Sequence, residues 1–556
     1  MAVSNSRETS TVSPETSDRH LQILLVALCL FHFFFYLGSR DLWDVDEGMH
    51  SVSAKHVVES GDWVTPVYNG KAFLDKPMFF TWLVAISFTL LGFTELAARL
   101  PAALVGLLGV WVTYRLGRKM FSARAGVFAG AVLASSILYL VMSRTVVHDI
   151  ALGLFTTLAL YLFYLAVAEP GHRKAYFLLF YVAVAGAVLA KGPLGALLPA
   201  LVIGPYLVLT RRLGLIKEMR LGLGALILVA LTAPWYIMMS LRNEGYLTYF
   251  LIEKSLGSFA SEKSTHPAPL HFYVPVLLGA LLPWTGFFPA ALNRAIKGLW
   301  GEGKDQVLYL ILWVGVMFLF FSAATSKLAS YLLPLMPAAA LLIGLLWDEA
   351  LVASRERKPW ILFWSHLPMV VVMLVGFVYG WTHPPVELGV KYGITLQQVL
   401  VIGLIITVLP GVALGFLWRR RVGLAFGSIV TMVTALLAVF AIWVGPSMDP
   451  YRSTKELALE LDQMLPPAEP MVFFWREKDS ALFYTDRDGV VLPTWEVEEY
   501  LETDHEVYFV ADVRHLHRIS EYRDRFGFVY KNGSKVVISN QPEREIPAAV
   551  PDNMER

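Results

Sequence analysis

Apolar stretches of roughly 17–25 residues recur along most of this chain, and they constrain its fold more than any other feature. A helix of that length is what the hydrocarbon core of a bilayer requires. We place spans near 21–38, 97–115, 125–142, 149–168, 175–190, 193–210, 220–240, 270–291, 307–324, 331–347, 361–381, 397–418 and 422–445. Only 16% of the residues are charged, against about 25% in a soluble domain. The predicted fold class is therefore an α-helical polytopic membrane protein with about 13 transmembrane helices.

Basic residues indicate the orientation of these spans. If the apolar stretch 78–92 lies at the interface instead of crossing, nearly every basic cluster falls on one side, including Arg115–Arg124, Arg211–Arg220 and Arg419–Arg421. Lys and Arg favour the cytoplasmic side of a membrane. We therefore predict a cytoplasmic N-terminus, and an odd number of spans puts the C-terminal region on the outer side.

Three regions are predicted along the chain. Residues 1–20, rich in Ser, Thr and Glu, are expected to form a disordered cytoplasmic tail. Residues 21–445 form the transmembrane domain, and residues 446–556 form a small α/β domain on the outer side. Apolar spacing in that last domain predicts a helix at Thr454–Leu465, strands at Met471–Trp475, Gly489–Leu492 and Val507–Val510, and a hairpin at Phe528–Ser539.

Ionisable residues gather on the predicted outer face. Lys191 lies between two apolar stretches, Asp149 opens the fourth span, and Ser39–Pro77 carries several carboxylates and lysines. Charged groups at membrane depth are costly and usually face a functional cavity. The alternative interpretation is a snorkelling lysine and a helix-capping aspartate.

The residue types on this face suit a donor that carries its own phosphate in a lipid. Lysines could hold the leaving phosphate, and a carboxylate could accept the proton of an attacking hydroxyl. The chain has neither a G-x-x-x-x-G-K-[ST] loop nor a G-x-G-x-x-G loop after a strand, so we predict no nucleotide cofactor. A net charge of +1 does not favour a nucleic-acid partner. The same charges also suit an ion-coupled transporter or a flippase of lipid-linked sugars.

A set of short motifs resembles a known family. The set is Asp46-Glu47, Ser60–Pro66 (SGDWVTP), Asn69-Gly70, Asp75-Lys76-Pro77, Asp149, Lys191-Gly192-Pro193, Lys327 with Tyr331 and Leu333-Pro334, and His266 with Phe272-Tyr273, Pro275 and Pro283-Trp284. Together these motifs resemble the GT-C glycosyltransferases of the protein O-mannosyltransferase superfamily, in particular the bacterial lipid A aminoarabinose transferases. The resemblance covers most of the chain.

The resemblance implies an inverting membrane glycosyltransferase with a GT-C fold and a small periplasmic α/β domain. It would move a sugar, aminoarabinose in that family, from undecaprenyl phosphate to lipid A or a related cell-envelope acceptor. The reaction would take place at the periplasmic face of the bacterial inner membrane. A protein O-mannosyltransferase-like enzyme with a protein acceptor is the further alternative.

The same resemblance implies roles for single residues. Asp46 matches the general base or acceptor-positioning group, Glu47 orders its loop, and Asp149 is the second carboxylate of the cavity. Lys76 and Lys191 match lysines near the lipid phosphate. The remaining donor-binding pair is Tyr331 and its basic neighbour Lys327.

A divalent metal (zinc, magnesium or manganese) is also implied. Asp75 and His266 fall where the family places a carboxylate and a histidine on a metal. Two ligands are too few for a closed zinc site, and a simple Asp–His contact is the alternative. One departure is expected to affect which sugar or acceptor binds: the family commonly follows the Asp-Glu pair with a small residue, Arg and Tyr, whereas this chain has Gly48-Met49-His50.

Overall fold

The computed structural model describes residues 14–257, 266–301, 303–383, 386–466 and 469–542. Residues 1–13 of the predicted disordered tail lie outside the described residues, whereas residues 14–20 already belong to the first helix. The helices that precede the middle of the chain are labelled in order: α1 Pro14–Phe34, α2 Asp46–Ser60, α3 Phe79–Leu91, α4 Glu95–Met120, α5 Ala123–Ser135, α6 Ile137–Met142, α7 Asp149–Ala168, α8 Arg173–Lys191, α9 Leu194–Leu209, α10 Leu215–Glu218 and α11 Leu221–Arg242.

The second half of the membrane domain is also helical. Its longer helices cover Tyr273–Ala280, Phe287–Gly298, Lys304–Ala323, Met336–Ala353, Trp360–Thr382, Leu396–Trp418 and Val422–Val439, and Gly445–Arg452 continues the last one. In the described residues nine helical segments are long and apolar enough to cross a membrane. The other four predicted spans correspond to shorter apolar helices, at Arg19–Phe34, Ala123–Ser135, Leu194–Leu209 and Leu270–Ala280. The prediction of a helical, multi-pass membrane protein is confirmed.

Helix α3 occupies the apolar stretch that was interpreted as interfacial. Its 13 residues extend about 20 Å at 1.5 Å per residue, less than the roughly 30 Å of a hydrocarbon core. It packs against α2 and α4, so its apolar side chains are covered by protein on part of their surface. The interfacial interpretation stays a prediction, because α5, which corresponds to a predicted span, also has 13 residues.

Ion pairs tie together the loops that carry the basic clusters. The pairs are Lys119–Glu169 at 2.5 Å, Arg173–Glu218 at 2.6 Å, Arg212–Asp305 at 2.7 Å, Arg124–Asp348 at 2.9 Å and Arg294–Glu349 at 2.9 Å. Groups that touch must share one end of a helical bundle. The basic clusters therefore lie together, as the topology prediction required, and the opposite end is left to the carboxylates and lysines of the other loops.

The C-terminal region forms a mixed five-stranded sheet. The strands are β3 Met471–Phe474, β4 Gly489–Leu492, β5 Tyr508–Asp512, β6 Gly527–Asn532 and β7 Lys535–Ser539, after a short hairpin of β1 Val67–Tyr68 and β2 Lys71–Ala72 earlier in the chain. Their order is β4-β3-β5-β7-β6, parallel at β4-β3-β5 and antiparallel at β5-β7-β6. These strands and the Lys455–Met464 helix lie within a few residues of the predicted elements.

The C-terminal sheet domain is docked on α2. The short helix Asp479–Tyr484 packs against α2, and Asp44, just before α2, accepts bonds from the Ser480 amide at 2.7 Å and the Thr454 hydroxyl at 3.0 Å. Gly48 permits this approach, because a Cβ at its position would lie 2.5 Å from the Ser480 nitrogen. The glycine is needed here for space.

The variant Gly48→Ala should weaken this docking. Overpacking of this kind costs about 1–3 kcal/mol, so the thermal unfolding temperature of the detergent-solubilised protein should fall and the C-terminal domain should become easier to cleave with protease. Gly423→Ala is the matched control, since a Cβ there meets no atom within 4 Å. Equal stability of the two variants would contradict the packing argument.

Candidate functional site

A buried arginine, Arg99, fixes the loop that leads into α2. Its side chain is fully buried near the start of α4, and its guanidinium donates to both carboxylate oxygens of Glu47, at 2.7 Å and 2.8 Å. The other N–H groups donate to the main-chain oxygens of Leu37 at 3.2 Å, Arg40 at 2.7 Å and Asp41 at 2.6 Å. All five N–H donors of the guanidinium are therefore satisfied.

Glu47 is held as a carboxylate by this contact. Burial alone raises the pKa of Glu47, but the Arg99 charge and its hydrogen bonds hold the pKa below its ordinary value. The Trp43 amide donates a further bond at 3.2 Å. The predicted loop-ordering role of Glu47 thus has a definite partner, 52 residues along the chain.

Asp46 begins α2 and lies on the exposed side of the same turn. Loss of solvation, followed by the charge of Asp149, raises the pKa of Asp46, while Lys76 and His266 act in the opposite direction. Three of the predicted site residues, from distant parts of the sequence, are therefore within electrostatic range of Asp46. A carboxylate with a raised pKa is better suited to accept a proton than an ordinary surface aspartate.

The helical hairpin α7–α8 supplies the second carboxylate and a lysine. Asp149 is the first residue of α7 and Lys191 the last residue of α8, so the two ends meet on one side of the bundle. Their side chains form an ion pair and are 16% and 11% exposed. The helix dipoles favour an anion at the first position and a cation at the second. The Lys191 ammonium also lies 4.3 Å from the centre of the Tyr331 ring, a cation–π contact.

Lys76 lies beside this group. Loss of solvation, followed by the charge of Lys191, lowers the pKa of Lys76, and Asp149 and Tyr331 are also within electrostatic range. Over the described ranges Lys76 makes no hydrogen bond or ion pair with another residue. A half-buried ammonium in that state is suited to an anionic ligand.

The two predicted metal ligands, Asp75 and His266, act on different groups in the structure. Asp75 forms an ion pair with Lys254 and accepts a bond from the Tyr249 hydroxyl at 2.5 Å. Burial alone raises the pKa of Asp75, but these two donors hold it below its ordinary value. Its oxygens are thus engaged by donors, and His266 acts on Asp46. Among the described residues no group of three or more His, Cys, Asp or Glu side chains is placed to hold a metal ion.

Lys327 is also engaged differently from the expectation. Its buried ammonium donates to the main-chain oxygen of Ala268 at 3.0 Å and to that of Ala324. Its amide donates to the main-chain oxygen of His266 at 3.0 Å. These contacts connect the segment around His266 to the start of the next span. The Lys327 ammonium therefore binds main-chain oxygens, whereas the resemblance implied that it contacts the donor.

Sequence reasoning missed Arg99 and the Asp75 partner Lys254. Arg99 is a lone cation inside an apolar span (ELAARLPAALVG), and that signal alone marks a residue with a buried partner. It could have been found, although the identity of its partner could not. Nothing in the sequence around Lys254 connects it with Asp75, 179 residues away.

The site can bind a phosphate and move a proton. Asp149 is paired with Lys191, Asp46 is exposed, and the Lys76 ammonium has no ion-pair partner in the part of the chain that the structure describes. Such a set can stabilise a leaving phosphate while one carboxylate orients or deprotonates an acceptor.

Comparison with solved structures and family profiles defines the class. The fold matches that of ArnT from Cupriavidus metallidurans bound to undecaprenyl phosphate, with a TM-score of 0.78, 24% identity, and coverage of 95% of this chain and 99% of that one. An oligosaccharyltransferase of Archaeoglobus fulgidus matches with a TM-score of 0.55, 13% identity, and coverage of 97% and 75%. The profile described as dolichyl-phosphate-mannose-protein mannosyltransferase matches residues 75–238. The protein is a membrane glycosyltransferase of the GT-C class, as predicted.

Sequence similarity to named proteins identifies the family within this class. The undecaprenyl phosphate-α-4-amino-4-deoxy-L-arabinose arabinosyl transferase of Aeromonas hydrophila is 32% identical over 373 residues, which are 64% of this chain and 67% of the relative. That of Aeromonas salmonicida is 34% identical over 343 residues, 60% of this chain and 61% of the relative. The chain belongs to this family of arabinosyl transferases.

The pairing of Glu47 with Arg99 should be visible in the pH dependence of stability. Because the pKa of Glu47 is lowered in the folded state, its stabilisation is fully present above the ordinary value of 4.5 and is lost as the pH falls through the lower folded value. Glu47→Gln leaves Arg99 as a buried unpaired charge and should cost about 3–5 kcal/mol at neutral pH. Thermal unfolding at several pH values measures this, and Glu59→Gln, an exposed carboxylate at the other end of α2, is the control. A variant as stable as the control would contradict the assignment.

Proposed function

We propose that the protein transfers 4-amino-4-deoxy-L-arabinose from undecaprenyl phosphate to lipid A or a related acceptor. The observation that carries the proposal is the convergence of Asp46, Asp149, Lys76 and Lys191 at one end of a bundle with the ArnT fold. The aligned part of the chain covers 67% and 61% of the two Aeromonas relatives named for this reaction.

The proposed reaction is a single displacement with inversion. The acceptor oxygen forms a bond with the anomeric carbon while the bond from that carbon to the phosphate oxygen breaks. Asp46 orients the acceptor or takes its proton, and Lys76 and Lys191 stabilise the charge that develops on the released undecaprenyl phosphate. Asp149 holds Lys191 in place through their ion pair. No step in this scheme passes through a metal.

We propose that the site faces the periplasm of a bacterial inner membrane. The support is the separation of charge along the bundle, because α7 runs from Asp149 at the site to Ala168 beside the paired basic loops. Lys and Arg favour the cytoplasmic side. The N-terminus would then be cytoplasmic and the C-terminal domain periplasmic.

Replacing Asp46 by Asn tests the catalytic assignment. Loss of one group of this kind commonly lowers kcat on the order of 10²–10³-fold, and release of free undecaprenyl phosphate from the labelled donor measures it. Because the pKa of Asp46 is raised, the acid limb of the native pH–rate profile should lie above the ordinary aspartate value of 3.8 and should be absent from the residual activity of Asp46→Asn.

Glu59→Gln is again the matched control and should keep native turnover. Near-native transfer by Asp46→Asn would show that the base lies elsewhere. Native protein that leaves the donor intact while moving it across the bilayer would contradict the transferase and favour a flippase. Mass spectrometry of lipid A and surface proteins from a deletion strain identifies the acceptor.

A divalent metal at Asp75 and His266 stays a prediction, and chelation tests it. The donors already on Asp75 lead us to expect that EDTA-treated, metal-free protein keeps its turnover within about twofold. Metal content is measured alongside turnover, and Asp75→Asn is compared with native protein. Activity that is lost with EDTA and restored by zinc or manganese, but not in Asp75→Asn, would establish the metal and overturn this expectation.

A further inference from the structure

Two buried histidines lie directly behind the two carboxylates of the site. His50 follows Asp46 by one helical turn on α2, and His148 immediately precedes Asp149. Their ring centres are 4.3 Å apart and the rings are nearly perpendicular, at 69°. The rings of Phe73 and Phe80 enclose the pair, with centres 6.1 Å from His50 and 5.1 Å from His148 respectively. The pair therefore joins the helix of one carboxylate to the helix of the other.

Both imidazoles carry an unused polar atom. The Nδ1 atoms of His50 and His148 are buried, and neither has a hydrogen-bond partner within the described residues. The one polar side-chain contact recorded for the pair is between His148 Nε2 and the Thr81 hydroxyl, at 3.4 Å. Buried polar atoms without partners are rare because they lose their bonds to water without replacement. Two of them in touching rings indicate a polar group that belongs between or beside the rings.

The charge state limits what that group can be. Burial, followed by the charge of Lys76, lowers the pKa of His50 to about 3. Burial, followed by the charge of His50, lowers the pKa of His148. Both rings are therefore neutral at physiological pH, and a neutral imidazole offers one donor and one acceptor. A hydroxyl, which both donates and accepts, can bond to such a pair in any combination of tautomers.

We propose that His50 and His148 form a binding site for one hydroxyl group, supplied either by an ordered water or by the donor sugar. By bridging the two imidazoles, this group ties the first turn of α2 to the start of α7 and so fixes Asp46 relative to Asp149. The inference rests on the proposed transfer reaction, since it assigns these histidines to the geometry of that site. They are positioning residues when water fills the site and sugar-binding residues when the sugar does.

The test compares two substitutions of equal shape. His50→Asn keeps polar atoms near the imidazole Nδ1 position, whereas His50→Leu has the same size without them. The full-length detergent-solubilised protein is assayed for kcat, for KM with undecaprenyl phosphate-aminoarabinose, for affinity toward undecaprenyl phosphate alone, and for thermal stability. His366, in the Trp360–Thr382 helix, is the matched control. It too is buried and has an Nδ1 without a partner among the described residues, but its Nε2 lies 3.2 Å from the Pro410 oxygen.

We expect His50→Leu to lower kcat/KM about tenfold relative to His50→Asn, the size of one or two neutral hydrogen bonds. His366→Leu and His366→Asn should not differ. If the sugar supplies the hydroxyl, His50→Leu raises KM for the donor and leaves the affinity for undecaprenyl phosphate unchanged. If water supplies it, His50→Leu lowers kcat and leaves KM unchanged. Either pattern supports the site.

Equal kcat and KM for His50→Leu and His50→Asn, with the Leu variant as stable or more stable, would overturn the inference and make the pair ordinary packing. If His50→Leu does not fold, the same comparison is made with His148→Leu and His148→Asn, and equality there overturns it equally. The proposed function fails separately: native protein that releases no undecaprenyl phosphate from the donor refutes the transferase, whereas active native protein with indistinguishable variants refutes only the histidine site.

Discussion

The buried contact between Arg99 and Glu47 is the constraint on which the rest of the site depends. A fully buried guanidinium is tolerable only when every N–H finds an acceptor, and here the acceptors are one carboxylate and three main-chain oxygens of the loop after α1. The loop and the first turn of α2 are therefore fixed to the start of α4. Asp46 is adjacent to Glu47 in the chain, so the Arg99–Glu47 contact also fixes the position of the exposed Asp46 carboxylate.

The remaining charges are placed by the geometry of a helical hairpin. Helices α7 and α8 have similar lengths and run in opposite directions, which brings the first residue of one to the last residue of the other. Asp149 and Lys191 neutralise each other at the membrane boundary, where an isolated charge of either sign would be costly. This pairing leaves Asp46 and Lys76 as a carboxylate and an ammonium not committed to each other, and the proposed transfer assigns the base to the first and phosphate binding to the second.

The sequence predicted the helices and strands better than it predicted which side chains contact one another. Apolar length and basic loops identified the helices, and alternation of apolar residues identified strands such as Gly489–Leu492, because those signals depend on neighbours along the chain. The convergence of Asp46, Asp149, Lys76 and Lys191 came from family motifs. The partners of Glu47, Asp75 and Lys327 were not predictable, since Arg99, Lys254 and the Ala268 oxygen lie 52, 179 and 59 residues away and each choice depends on how helices pack.

The helical period explains which neighbours are contacted by the turn that carries the departure Gly48-Met49-His50. Asp46 and His50, four residues apart, share one face of α2, while Glu47 and Gly48 point in other directions. Glu47 meets α4, Gly48 meets the C-terminal domain, and His50 meets His148. Asp46 alone among these four is exposed. Substitutions at 48 and 50 would therefore change how the turn that carries Asp46 packs against the C-terminal domain and against His148. The expected effect of this departure on sugar or acceptor preference would then come from packing, with the reacting groups unchanged.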